Sequence, residues 1–270
     1  MKDILLIRSR LISLHFLVCF LLLFLVAFPN PLVAEIPIKP LFEQALSASK
    51  EGDFSSALFL WDQVLEESPK NSAALSNRGN VRLALGDFSG AIADQSHSIE
   101  LDPSELDPYL NRGIAKEALH HWQSATEDYE WVLSQDPENA SALYNLGNVL
   151  SHQGEWLKAE NLFDKASIAR PGFAMARSSK ALCDYQMGEF DQAESELRNL
   201  IRRYPMMADA RAALSAVLWR KGFSGEAESH WAAASGLDAR YSQKEWLSNI
   251  RRWPPQPIAD LMAFLALERP

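Results

Sequence analysis

Small and apolar positions recur along this chain at one fixed interval of 34 residues. Alanine keeps that interval at Ala57, Ala91, Ala125, Ala159, Ala193 and Ala227. Glycine keeps it at Gly52, Gly86, Gly154, Gly188 and Gly222, and His120 fills the missing position. A period this long and regular indicates a solenoid of repeated supersecondary units. Such a protein binds other molecules along a continuous surface and seldom carries chemistry of its own.

Within one period the pattern predicts two helices joined by a short turn. The clearest period reads Leu143-x2-Leu146-Gly147-x2-Leu150, followed by Ala159-x3-Phe163 and Pro171. Small residues such as Gly147 and Ala159 let the two helix backbones approach closely, and large residues such as Phe163 fill the space beside them. A glycine such as Gly154 suits the end of the first helix, and the proline closes the second helix.

This pattern resembles the tetratricopeptide repeat, whose units carry Leu-Gly, then Ala-x3-Phe, then Pro at this spacing. The resemblance covers six tandem units, which we number one to six: 38–71, 72–105, 106–139, 140–173, 174–207 and 208–241. It implies an all-α, right-handed α-solenoid of six helix-turn-helix units with capping helices at the C-terminal end. Some positions depart from the pattern, since Gln95, Arg177, Lys180 and Arg211 stand where apolar residues are usual.

The last segment, 242–270, follows the final unit and has a different composition. We expect a capping helix from Lys244 to Arg251, an extended break at the prolines after Trp253, and a terminal helix from about Ile258 to Glu268. The terminal helix carries one apolar stripe. It could cap the solenoid, or it could dock in a groove of a partner or of this chain. The Arg-Trp-Pro-Pro stretch resembles the tail of some cyanobacterial and plastid repeat proteins.

The N-terminal segment 1–34 has the pattern of a targeting signal. Lys2, Arg8 and Arg10 precede a mostly apolar run of 18 residues, and small or breaking residues follow up to Ala34. We expect a secretory signal peptide cleaved after Ala34. The run is also near the minimum length of a membrane span, so an uncleaved anchor is the alternative. In both cases the basic flank predicts export across a bacterial-type membrane, into a periplasm or a thylakoid lumen.

Charge and motifs narrow the function further. The formal net charge is −9, and residues 1–34 contribute +2, which leaves −11 on the rest of the chain. An acidic chain is a poor ligand for nucleic acid, because phosphate neutralisation needs clustered Lys and Arg. The sequence has no histidine pair with zinc-site spacing, no phosphate-binding loop and no nucleophile elbow. We therefore expect no enzyme activity, no metal and no cofactor.

The resemblance implies that the first helices line a concave groove, where a protein or peptide partner would bind. The register then predicts these partner-binding residues: Leu110, Ile114, Tyr144, Asn148, Leu182, Tyr185, Trp219, Asn77, Asn111 and Asn145. The same register adds Phe42, Leu46, Leu83 and Met175. The asparagines could bind a ligand backbone or be structural, and the large apolar residues could bind a partner or be covered by the C-terminal helix.

These observations predict an exported, non-catalytic scaffold that acts in the assembly or maintenance of a membrane, envelope or thylakoid complex. Two other functions remain open: a membrane-anchored structural protein that self-associates, and a regulatory partner of a separate enzyme. The basic residues that other repeat proteins use to grip an acidic C-terminal tail are missing from the matching positions. The sequence does not predict the oligomeric state.

Overall fold

The computed structural model describes residues 38–267, and the predicted signal segment 1–34 lies outside them. Each of the six units contains two α-helices, as the resemblance implied. Their bounds are α1 Ile38–Glu51, α2 Phe54–Glu67, α3 Ser72–Ala84, α4 Phe88–Leu101, α5 Leu106–Ala118, α6 Trp122–Gln135, α7 Ala140–His152, α8 Trp156–Ala169, α9 Ala174–Gln186, α10 Phe190–Arg203, α11 Ala208–Arg220 and α12 Ser224–Leu237. No strand interrupts the helices between Ile38 and Leu267.

The turn between the two helices of a unit depends on a left-handed residue. Gly86 and Gly154 both have a φ of 81°, which is open to glycine at little steric cost. His120 takes the same position with a φ of 62°, so a residue with a Cβ atom occupies a conformation that favours glycine. The next residue is the N-cap of the second helix. In two units it is an aspartate whose side chain caps the helix, as Asp87 does by accepting from the Gly90 amide.

The predicted close approach of the two helices is present. A Cβ atom added at Gly147 would lie 2.7 Å from Phe163, and one added at Gly113 would lie 2.5 Å from Tyr129. Both distances are far below an ordinary carbon–carbon contact. Glycine at positions 113 and 147 therefore leaves the space that the ring of Tyr129 or Phe163 occupies.

The polar departures from the repeat pattern are paired within the fold. Gln95 is buried and donates its amide to the Ser76 carbonyl oxygen at 3.0 Å. Arg177 forms an ion pair with Glu196, and Lys180 forms one with Glu160 at 2.9 Å. Each polar side chain thus replaces apolar packing by a hydrogen bond or an ion pair to a neighbouring helix.

The first helices line the inner face of the solenoid. Contacts link α1 to α3, α3 to α5, α5 to α7 and α9 to α11, so alternate helices along the chain meet each other. After α12 the chain forms a 3₁₀ turn, Ala239–Ser242, then α13, Lys244–Asn249, and α14, Pro255–Leu267. Helix α14 packs against α9 and α11, which places it inside the concave face.

The predicted break before the terminal helix is shorter than we expected. Helix α14 begins at Pro255 rather than near Ile258, and α13 ends at Asn249 rather than at Arg251. Proline is tolerated in the first turn of a helix, because the first amide groups have no partner inside the helix. Pro255 and Pro257 therefore start α14 instead of preceding it.

Candidate binding groove

The inner face divides into two halves that differ in what covers them. In units one to three the apolar side chains of the inner face are partly exposed along the groove, and we call this stretch the open half. Its residues are Phe42, Leu46, Leu83, Leu110 and Ile114. From Glu117 of unit three to unit six, residues 250–267, which we call the C-terminal tail, lie on the inner face, and we call this stretch the filled half.

Three predicted groove residues lie beneath the C-terminal tail. Leu182 is 3% exposed and Tyr185 is fully buried, and the rings of Trp219 and Phe264 lie 5.6 Å apart. Leu182 and Tyr185 are therefore buried and Trp219 is half-buried, and the role of these three residues in partner binding stays a prediction. The apolar stripe of α14 covers them, which was the alternative that the sequence left open.

Asp209 is the main polar attachment point for the tail. It lies in the first turn of α11 and its side chain is 3% exposed. One carboxylate oxygen accepts from the Arg251 guanidinium at 2.6 Å, from the Trp253 indole at 3.1 Å and from the Tyr241 hydroxyl at 3.0 Å. The other accepts from the Ser178 hydroxyl at 2.6 Å. A single buried carboxylate thus fixes the path of the chain after α13.

Arg252 reaches further along the groove, to unit three. Its guanidinium forms an ion pair with Glu117 of α5, whose side chain is 2% exposed. The Tyr129 hydroxyl donates to the other oxygen of Glu117 at 2.8 Å. Burial raises the pKa of Glu117, and Arg252 and Tyr129 act against that rise. The tail therefore spans the inner face from unit six back to unit three.

Helix α14 has its own polar contacts with the inner face. The Tyr185 hydroxyl donates to Asp260 at 2.7 Å, and Arg220 forms an ion pair with Asp260 at 3.1 Å. The backbone amide of Gln256 donates to the side-chain oxygen of Gln186 at 2.8 Å. These bonds fix the position of α14 along the groove, in addition to the apolar packing that buries one face of the helix.

The comparisons with known proteins agree with this geometry. The family model of the tetratricopeptide repeat matches residues 42–105, 110–173 and 180–240, which is more than half of the chain. The chain belongs to the tetratricopeptide repeat family. A comparison with curated proteins gives no match.

Solved tetratricopeptide repeat structures have the same fold. A repeat protein from Parabacteroides merdae is 19% identical with a TM-score of 0.62, over 85% of this chain and 98% of that one. MamA is 25% identical with a TM-score of 0.53, over 58% of this chain and 92% of that one. YrrB, described as having an unusual peptide-binding site, is 21% identical with a TM-score of 0.53, over 66% and 92% of the two chains.

The four predicted asparagines are all at least partly buried in the tetratricopeptide units. Asn77 donates its side-chain amide to the Ala73 carbonyl oxygen of its own helix at 2.8 Å, which is a structural contact. Asn148 is 8% exposed, and Asn111 and Asn145 are half-buried. Tyr144 is half-buried too, and its ring lies 5.0 Å from that of Phe173. Sequence reasoning missed Glu117 and Asp209, although both fall on first-helix positions that face the groove.

Three observations on the described residues concern metal binding, thiol chemistry and membrane spanning. Among residues 38–267 there is no group of three histidine, cysteine or carboxylate side chains that could hold a metal ion. Burial raises the pKa of the Cys183 thiol to about 12, so this cysteine stays protonated near neutral pH. Over the same stretch of chain, no helix has both the length and the apolar character that a membrane span requires.

Proposed function

We propose that this protein is a non-catalytic scaffold that binds a polypeptide segment of a partner protein along its concave face. One observation carries the proposal: the face already holds a polypeptide segment, the chain's own C-terminal tail, by apolar packing and buried polar contacts. A surface that binds one segment by these means has the shape and the chemistry to bind another of the same kind.

The open half is where a partner has direct access. Leu83, Leu110 and Ile114 come from consecutive first helices, so they form an apolar row that continues the filled half toward unit one. Apolar rows on a concave surface are typical of sites that take an apolar or aromatic segment. YrrB, a member of the same family, is described as having a peptide-binding site, which supports the same use of the fold here.

The N-terminal segment supports a location outside the cytoplasm. Its basic flank and apolar run are those of an exported protein, cleaved after Ala34 or kept as an anchor. We place the scaffold in the assembly or maintenance of a membrane, envelope or thylakoid complex, because an exported chain of interaction repeats finds its partners at that boundary.

The test is capture of partners from membranes of the source cell with two matched double variants. Leu83→Glu with Ile114→Glu puts charge into the open half. Phe59→Glu with Ile168→Glu puts it on exposed positions of second helices, which are 62% and 71% exposed. We expect the first variant to bind the partner more weakly by about 2 kcal/mol, which is roughly 30-fold in Kd, and the second variant to bind it as the unchanged protein does.

Circular dichroism must first show that both variants keep their helices. Equal capture by the two folded variants would contradict binding in the open half. The N-terminal residue of the scaffold itself, purified from the same membranes and read by sequencing, tests cleavage, since Glu35 at that position indicates removal of the segment. Repeats located on the cytoplasmic side of the membrane would contradict export.

A further inference from the structure

The C-terminal tail has the contacts of a bound ligand rather than those of a plain cap. Its apolar residues Leu261, Phe264 and Leu265 are buried against the inner face. Before the helix, Arg251 and Arg252 insert two guanidinium groups among the first helices, at positions that belong to units three and six. A cap needs only to cover the last unit, whereas this segment extends along the groove across several units.

The groove and the tail are complementary in charge. Asp209 and Glu117 are 3% and 2% exposed, and each is paired with an arginine of the tail. Any segment that covers this part of the groove buries both carboxylates. A buried carboxylate without a partner is strongly unfavourable, so the groove selects for a segment that brings a cation to each.

The geometry of the tail also favours its release. Arg252 has a φ of 56°, in the left-handed region, and it has a side chain that disfavours this conformation. Such a residue persists only while its contacts hold it, and strain of this kind is typical of segments that switch. The residue at the start of the tail, Ile250, is 64% exposed, so the tail begins at the surface of the protein.

We propose that the filled half is a receptor for a basic and aromatic polypeptide segment, which the tail occupies within the chain and which an arginine-bearing segment of a partner displaces. This inference rests on the proposed function, because it states which class of partner fits the second half of the same face. It adds the recognition of two guanidinium groups to the apolar or aromatic contacts of the proposed partner segment.

The experiment uses the purified protein and a fluorescent synthetic peptide with the sequence of residues 249–267. Binding is measured for the unchanged protein, for Arg252→Ala and for Arg240→Ala. Arg240 is a matched control, since it is an exposed arginine just before the tail that pairs with Asp238 of its own turn. A second peptide carries glutamine in place of both Arg251 and Arg252.

We expect Arg252→Ala to bind the native peptide at least about tenfold more tightly than the unchanged protein, because its own tail competes less well from a high effective concentration. Arg240→Ala should match the unchanged protein. The glutamine peptide should bind at least about tenfold more weakly to every form, since charge-assisted hydrogen bonds are about twice as strong as neutral ones.

Three results would overturn the proposal. The first is equal binding of the two peptides, which would make the recognition apolar. The second is equal binding by Arg252→Ala and the unchanged protein. The third is a stable Arg252→Ala dimer in light scattering, which would assign the groove to the tail of a second copy.

Should Arg252→Ala unfold, the unchanged protein still decides the question. Saturating native peptide should then increase hydrogen exchange in α14, and unchanged exchange would contradict displacement. If the capture of a partner through the open half fails, this peptide assay still tests the inference, because the assay probes the filled half with a defined peptide.

Discussion

The open and filled halves of the inner face share the same repeat register, yet equivalent residues in the two halves differ in their exposure to solvent. Asp107 and Asp209 are both the second residue of a first helix, three units apart. Asp107 is exposed, whereas Asp209 is buried among donors from the tail and from unit five. The difference does not come from the repeat, which is the same at both places. It comes from the segment that lies over one of them.

Apolar positions show the same contrast. Ile114 and Leu182 are equivalent residues two units apart, yet Ile114 is partly exposed in the open half and Leu182 is 3% exposed beneath α14. The comparison teaches that a groove position can be a binding residue in one unit and a core residue in another. The repeat register predicts which side chains face inward, but it does not predict which other residues cover them.

The largest expected effect is the difference in the free energy of unfolding between the replacement of Asp209 and that of Asp107. Asp209→Ala leaves the guanidinium of Arg251 and the indole of Trp253 without an acceptor, and we expect it to lower the free energy of unfolding by about 3 kcal/mol. Asp107→Ala removes only a helix-dipole contact at the exposed equivalent position, which is worth less than about 1 kcal/mol. Urea denaturation of both variants measures the difference, and similar losses would show that the tail contributes little.

A smaller effect is expected for the apolar pair. Leu182→Ala removes a fully packed side chain and should cost about 2 kcal/mol, while Ile114→Ala in the open half should cost roughly 1 kcal/mol. Thermal and urea unfolding of the two variants, measured together, provide the comparison. If Ile114→Ala is as destabilising as Leu182→Ala, the open half is part of the core and is no docking surface.

The smallest effect is a pH dependence of tail docking. Burial raises the pKa of Glu117, and Arg252 acts against that rise because it pairs with the charged form of the carboxyl. Docking is therefore strongest above the pKa of Glu117 and weakens as pH falls through it. Burial, His120 and Arg252 lower the pKa of His152, so protonating His152 also opposes docking.

Hydrogen exchange of α14, corrected for the intrinsic effect of pH, measures this release between about pH 8 and about pH 5. Protection should fall several-fold toward the acid end in the unchanged protein and fall much less in Glu117→Gln. Global unfolding has the opposite sign for Glu117, because a carboxyl with a raised folded pKa contributes stability below its unfolded pKa and loses it as pH rises. If the protection of α14 increases toward acidic pH, its amides exchange through global unfolding rather than through release of the tail.

Much of the fold could be predicted from local spacing. The close contacts of Gly113 with Tyr129 and of Gly147 with Phe163 each lie within one unit. They could be predicted because small and large residues recur at fixed positions of the 34-residue repeat. The start of α14 at Pro255 was predicted less well, because a proline pair is compatible with both an extended break and a first helical turn. The signal segment stays a prediction, since it lies outside the described residues.

The candidate site was only partly predictable. The register placed Leu182, Tyr185 and Trp219 on the inner face, and the apolar stripe of the last helix was visible in the sequence. The pairing of Arg252 with Glu117 was not predictable, because the two residues belong to distant units and nothing local links them. A carboxylate on an apolar inward row was the one signal that could have indicated a cationic ligand.

The sequence by itself determined the unit, its two helices, the small residues where they approach and the faces they present, because these depend on contacts within 34 residues. Only the tertiary structure decided that the tail folds back into the groove, which carboxylates it meets and which half stays open. The path of a short segment after the last repeat depends on burial and charge pairing over long separations in sequence, and a local repeat pattern carries no information about either.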